Sequence, residues 1–211
     1  MEQPQQGSGV TGVLVDPRFC ASYPVELAIV RKVMRLTAGN FVIKDVNGKM
    51  LFKVKDRVFG VHDKRTLLDS SGSKVLTLRE KIMSMHSRWQ VFRGGSTEQR
   101  DLLYTVKKTS MIQFKTKLDV FLSHNEEEER CDFRVKGNWS ESSCVVYAGE
   151  SDAIVAQMDK EDNFWGKDNY TVTVNPNVDY AFIASLIVIL DDVNRPISLP
   201  ILDIGTSLLL N

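Results

Sequence analysis

Lys53, Lys55 and Arg57 alternate along one stretch of the chain, and Lys64-Arg65 follow after a short connection. In an extended strand, residues two apart share a face, so the first three cations project together. Converging cations suit an anionic headgroup, and each basic residue near a charged membrane surface adds about 1 kcal/mol. Lys107-Lys108 and the pair Lys115, Lys117 recur later. The plainer explanation is a solvated exterior, because charged side chains normally occupy surfaces.

Other chemistry is harder to assemble. Nucleophilic catalysis needs a nucleophile, a base and an orienting acid. The histidines are His62, His86 and His124. Ser84, His86 and Ser87 lie close together, but no G-x-S-x-G elbow surrounds them. His62-Asp63 sits on a turn-like stretch. Glu126–Glu129 is a consecutive run whose side chains diverge, which reads as a solvated loop rather than a metal site. Gly7-Ser8-Gly9-Val10-Thr11-Gly12 fits G-x-G-x-x-G, but no strand precedes it and Pro17 follows, so the dinucleotide setting is missing. The expectation is no enzyme, no cofactor and no metal.

The chain has 211 residues, with 27 Lys plus Arg against 27 Asp plus Glu. That length suits one domain of the larger all-β kind. Balanced charge gives no overall steering toward nucleic acid or membrane. Cys20, Cys131 and Cys144 are odd in number and lack metal spacing, which argues against a disulfide framework. No N-terminal apolar run resembles a signal peptide, and Met1-Glu2 lacks the glycine that myristoylation needs. The expected location is intracellular: cytoplasmic, with a peripheral membrane or nuclear pool.

The elements that must position these residues are mostly strands. Phe41–Ile43 and Met50–Val54 flank Asp45-Val46-Asn47-Gly48-Lys49, and Asn-Gly is a strong hairpin signal. Thr66–Asp69 and Lys74–Leu78 flank Ser70-Ser71-Gly72-Ser73. Setting Asp45 over Asp69 brings Gly48 over Gly72 and Val54 over Leu78, a weak internal repeat. Its acids can bond their own turn backbone while glycine supplies positive φ. Further strands are expected at Glu26–Val30, Trp89–Phe92, Leu102–Lys107, Lys115–Leu122, Asp132–Val135, Cys144–Tyr147, Ile154–Met158 and Tyr170–Val174. Lys115, Lys117 and Asp119 alternate with Thr116, Leu118 and Val120, giving one wet and one dry face. Residues 1–22, rich in Gln, Gly, Ser and Pro, read as a disordered tail, and 23–211 as a single domain.

Tyr180–Leu190 is continuously apolar. Spanning a bilayer takes roughly 20 such residues. Asp179 and Asp191-Asp192 bracket a shorter run, and Pro196 then stops the helix. A buried helix at about 179–192 is expected, with Asp179 as N-cap. Asp191 and Asp192 lie at the unfavourable end of its dipole, where Arg195 is the nearest counterion in sequence. An open sheet leaves half of such a helix exposed, whereas a closed one encloses it and has no edges. The fold class is therefore mainly β: a closed antiparallel barrel of about twelve strands around a central hydrophobic C-terminal helix.

The hairpin Phe41-Val42-Ile43-Lys44-Asp45-Val46-Asn47-Gly48-Lys49-Met50-Leu51-Phe52-Lys53-Val54 resembles the plant LURP-one-related proteins. So does the ending Tyr170-Thr171-Val172-Thr173-Val174-Asn175-Pro176-Asn177-Val178-Asp179-Tyr180-Ala181-Phe182-Ile183. The resemblance runs from about Tyr23 to Asp192, and the C-terminal motif is its most specific part. It implies the fold shared with the tubby C-terminal domain and the phospholipid scramblases, in a defence-associated plant family. Tubby proteins are membrane-tethered transcription regulators that bind phosphoinositides. No tubby lipid-binding motif, palmitoylated cysteine stretch or calcium-loop pattern matches here residue by residue. Resemblance and residues together give the expectation of a non-enzymatic intracellular binding or regulatory module for anionic phospholipid headgroups; its contacts, taken from the strand pattern and not from the resemblance, are Lys53, Lys55, Arg57, Lys64 and Arg65. The alternatives are a protein-interaction scaffold in plant defence signalling and, further off, nucleic-acid binding. A monomer without a transmembrane span is expected.

Overall fold

A computed structural model describes residues 12–30, 41–56, 64–81, 87–112, 115–138, 143–159 and 169–194. These form twelve strands and one α-helix. The strands are β1 (Val25–Val30), β2 (Phe41–Lys44), β3 (Met50–Asp56), β4 (Lys64–Asp69), β5 (Lys74–Lys81) and β6 (Arg88–Arg93). They continue as β7 (Leu102–Ile112), β8 (Lys115–Leu122), β9 (Phe133–Asn138), β10 (Ser143–Ala148), β11 (Ile154–Asp159) and β12 (Asn169–Val174). Each pairs antiparallel with its sequence neighbour, and β12 returns to β1, so the sheet closes. Every strand expected from the alternation is present.

Helix α1 (Tyr180–Val193) runs through the barrel. All ten residues Ala181–Leu190 are buried. Inward positions of the wall complete the core, including Leu27, Ile43, Phe52, Leu67, Leu78, Val91, Val106, Leu118, Val135 and Val172. Complete burial of each large aliphatic side chain is worth about 1.5–3 kcal/mol, so the helix holds the wall together as much as the wall holds the helix. Among the described residues no helix is long and apolar enough to cross a membrane.

The internal repeat is a repeat of geometry. Asp45 Oδ1 accepts from the Asn47 and Lys49 amides, both at 2.9 Å. Asp69 Oδ1 accepts from the Ser71 and Ser73 amides, both at 3.0 Å. Gly48 (φ 79°) and Gly72 (φ 85°) take the left-handed position that each turn requires. The side chain replaces a backbone acceptor in both hairpins, which sets the register of the strands that follow.

Residues 12–22 correct the expected disordered tail; residues 1–11, with most of the glycine-rich match, lie outside the described residues. Val15 and Phe19 are buried. Phe19 packs against Phe52 and Tyr180 with ring centroids 5.4 Å apart in both cases. Asp179 explains the ordering. Its Oδ1 caps the helix, accepting from the Ala181 amide at 3.0 Å and the Phe182 amide at 3.2 Å. Its Oδ2 accepts from the amides of Val15 at 2.7 Å and Asp16 at 3.2 Å. One carboxylate thus ties the N-terminal segment to the start of the helix. Burial pushes the Asp179 pKa up, against the pull of those four amides.

Candidate functional site

Phe52 and Val54 point into the barrel, so alternation turns Lys53 and Lys55 outward on β3, where both are exposed. On β4 the inward residues are Arg65 and Leu67, and Lys64 and Thr66 face out. Lys55 lies across from Thr66, and Lys53 across from Leu68. The basic face then continues beyond the residues expected from sequence. Lys64 is the register partner of Arg79 on β5, and Lys81 that of Arg88 on β6. Among the described residues, the outward positions of β3–β6 carry these cations and no carboxylate. Arg57 lies outside the described residues, as do His62, Asp63, Ser84, His86 and Arg195.

Arg65 departs from the expected headgroup set. It is buried on the inner side of β4. Its Nη1 lies 3.3 Å from Asp191 Oδ2 and 3.4 Å from the Val188 carbonyl, and its Nη2 lies 2.8 Å from Asp192 Oδ1. The two acids at the helix end are therefore partnered from the wall. A signal for this was present in the sequence. Neighbouring residues on a strand face opposite ways, so Lys64 and Arg65 cannot both line an outer surface.

Arg79, Lys81 and Arg88 fall outside the expected strands, which end at Leu78 and begin at Trp89, because the real strands run on to Lys81 and start at Arg88. The alternation of Arg79 with Lys81 is the same pattern that marks Lys53 and Lys55. Arg79 is held by Gln90, at 2.7 Å from Nη2 to Oε1, and lies 5.0 Å over the Phe92 ring.

The acidic run also differs from expectation at one position. Glu126, Glu127 and Glu129 are exposed, but Glu128 folds back onto β6 and β7. It accepts a two-pronged contact from Arg88, at 2.9 Å and 3.0 Å, and pairs with Lys107. Burial pushes the Glu128 pKa up, but Lys107 and Arg88 together outweigh it and hold the carboxyl below its ordinary value. Asp119 departs from the expected wet face of β8: it is buried under Arg134, whose Nε lies 2.8 Å from its Oδ1.

Inside the barrel, Tyr104 and Ser185 are hydrogen-bonded, and Ser185 Oγ donates to the Phe182 carbonyl at 2.6 Å. Ser185 has one hydroxyl proton, so Tyr104 is the donor between the two. Complete burial pushes the Tyr104 pKa far above its ordinary value, which keeps that proton in place. A narrow apolar cleft beside the helix, lined by residues such as Cys144, Met158, Val172 and Leu186, has room for about one water molecule. Cys20, Cys131 and Cys144 are not joined in disulfides. Among the described residues no three His, Cys, Asp or Glu side chains group to hold a metal.

The closed meander with its buried C-terminal helix is similar to known proteins over most of the chain. The X-ray structure of an Arabidopsis thaliana protein superposes with a TM-score of 0.71 at 67% identity, covering 87% of this chain and 99% of that one. Protein LURP-one-related 15 of Arabidopsis thaliana is 69% identical over 212 residues, covering 92% of this chain and 98% of the relative. Protein LURP1 of the same plant is 62% identical over 187 residues, covering 87% and 90% respectively. The model of the LURP-one-related family matches residues 25–191, from the first residue of β1 into the last turn of α1. With the match spanning every strand of the barrel, the chain belongs to the LURP-one-related family.

Proposed function

We propose that the protein is a non-enzymatic binding module that docks its β3–β6 wall on anionic phospholipid headgroups. The reading rests on one observation: Lys53, Lys55, Lys64, Arg79 and Lys81 share an outer surface with no carboxylate at its described outward positions. Strand alternation keeps the cations on that side, and a rigid closed sheet holds their spacing without a change of shape on binding. Five such residues near a charged bilayer supply roughly 5 kcal/mol if each contributes about 1 kcal/mol. That suffices for reversible tethering and is strongly reduced by salt.

Flotation with phosphatidylcholine vesicles, with and without phosphatidylserine, tests this reading. Recovery should rise with the anionic lipid, fall with added salt, and fall again in a Lys53→Ala/Lys55→Ala/Lys64→Ala variant. Equal recovery on both vesicle types, or an unaffected triple variant, removes the reading.

A further inference from the structure

Arg88 on β6 and Lys107 on β7 are register partners, and Thr105 lies two residues before Lys107 on the same outer face. Their side chains meet at one carboxylate. Arg88 Nη1 donates to Glu128 Oε1 at 2.9 Å and Nη2 to Oε2 at 3.0 Å. Lys107 pairs with Oε2, and Thr105 Oγ1 donates to Oε1 at 3.2 Å. Lys107 Nζ also lies 5.0 Å from the Phe121 ring centre, which helps fix the ammonium. Asp119 stands across from Lys107 on β8, but it is engaged by Arg134 at 2.8 Å and by Lys117 at 3.9 Å.

An arginine fork, an ammonium and a hydroxyl directed at one spot make a donor set that suits a phosphate group at least as well as a carboxylate. A phosphate monoester brings about −1.5 to −2 charge at neutral pH, more than one carboxylate carries. Glu128 reaches the spot at a cost in backbone conformation. Its φ is 52°, in the left-handed region that non-glycine residues avoid. The loop that carries it, residues 123–132, is organised by Asn125, which accepts from the Glu128 amide at 3.3 Å and donates to the Arg130 carbonyl at 2.8 Å. Glu126, Glu127, Glu129 and Arg130, the residues around Glu128, are all exposed. What the strained turn delivers is one carboxylate onto two cations.

We propose that Arg88, Lys107 and Thr105 form a binding site for a phosphate monoester, and that Glu128 is its built-in competitor. Both occupants use the same donors, so they exclude each other. A tethered competitor acts at an effective concentration in the millimolar range, which masks the site from dilute ligand. A phosphatidic acid headgroup and free phosphate share this chemistry. The site adjoins the β3–β6 wall at Lys81 and Arg88 but uses none of the five cations named above, so it stands or falls apart from that reading.

Inorganic phosphate is titrated into the full chain, unmodified and as Glu128→Gln, with binding followed by calorimetry. Saturable binding should tighten by roughly tenfold or more once the tethered competitor is neutralised. It should be lost again in Glu128→Gln/Arg88→Ala and weakened in Glu128→Gln/Thr105→Val. Vesicles of phosphatidylcholine with phosphatidic acid separate the sources: a Glu128→Gln gain there assigns a membrane-borne ligand, and a gain with phosphate alone assigns a soluble one. No gain in either arm, or a gain indifferent to Arg88→Ala, overturns the proposal. Should Glu128→Gln not fold, the unmodified chain decides. Saturating phosphate should release the Glu128 carboxyl, so that it titrates near an ordinary glutamate by carbon NMR, and an unchanged titration overturns the proposal.

Discussion

Arg65 on β4 and Asp192 at the end of α1 form a largely buried ion pair with 2.8 Å between Nη2 and Oδ1. The same guanidinium reaches the Val188 carbonyl at 3.4 Å, near the negative end of the helix dipole. One side chain thus contacts two carboxylates and a helix end, offsetting part of their negative charge. Arg65→Met removes the guanidinium from both acids. The Arg65 side chain is 5% exposed, and those of Asp191 and Asp192 are 14% and 21% exposed. The loss should therefore sit near 3 kcal/mol, the low end for a broken buried pair. Urea denaturation measures it, and Arg65→Met/Asp191→Asn/Asp192→Asn should recover part of the loss. A single variant within about 0.5 kcal/mol of the parent, as surface changes usually are, contradicts the buried pairing.

Tyr104 and Ser185 should respond unequally to losing their partner. Tyr104→Phe removes a donor but leaves Ser185 bonded to the Phe182 carbonyl. It should cost about 1 kcal/mol. Ser185→Ala strands a fully buried phenol hydroxyl and should cost more, about 1–3 kcal/mol. Equilibrium denaturation of both variants checks the order, and the reverse order rules out the assigned proton direction.

Asp179→Ala should free two segments at once. The helix loses its cap, worth up to about 2 kcal/mol, and Val15 and Asp16 lose their anchor. Limited trypsin digestion should then cut after Arg18 faster than in the parent. Unchanged cleavage there means that the Asp179 carboxylate does not hold residues 12–22, which Phe19 packing and the Arg18–Asp69 pair then anchor.

The helix core tolerates size changes better than charge. Leu186→Ala should fold with a loss of about 2–5 kcal/mol. Ala184→Asp places a carboxylate where neither water nor a partner exists, and should give insoluble chain. Soluble yield and cooperative melting separate the two outcomes. A well-folded Ala184→Asp protein is incompatible with a helix enclosed by the sheet.

Glu128 gives the acid limb of the stability profile a defined part. Its folded pKa is held below the ordinary value, so its contribution is complete above the unfolded pKa of about 4.3. It is lost as pH falls through the lowered folded pKa, where the unfolded state gains the proton first. The stability gap between the parent and Glu128→Gln should therefore be about 1 kcal/mol at neutral pH and shrink in acid. Denaturation at a series of pH values checks this, and a gap that widens in acid contradicts the sign.

Sequence by itself determined the barrel. Period-two alternation located all twelve strands, the two Asp-to-Gly turns set matching hairpins, and a run too short for a bilayer yet apolar on every side required a closed wall. These are local signals, carried by residues a few positions apart. Only tertiary structure decided the partners. Arg65 meets Asp191 from 126 residues away, Asp179 meets Val15 from 164, and Glu128 meets Arg88 from 40. Alternation states which face a side chain takes; it does not state which distant carboxylate waits on that face. That depends on closure, which brings the first segment, the fourth strand and the last helix into one interior and lays one loop across two strands.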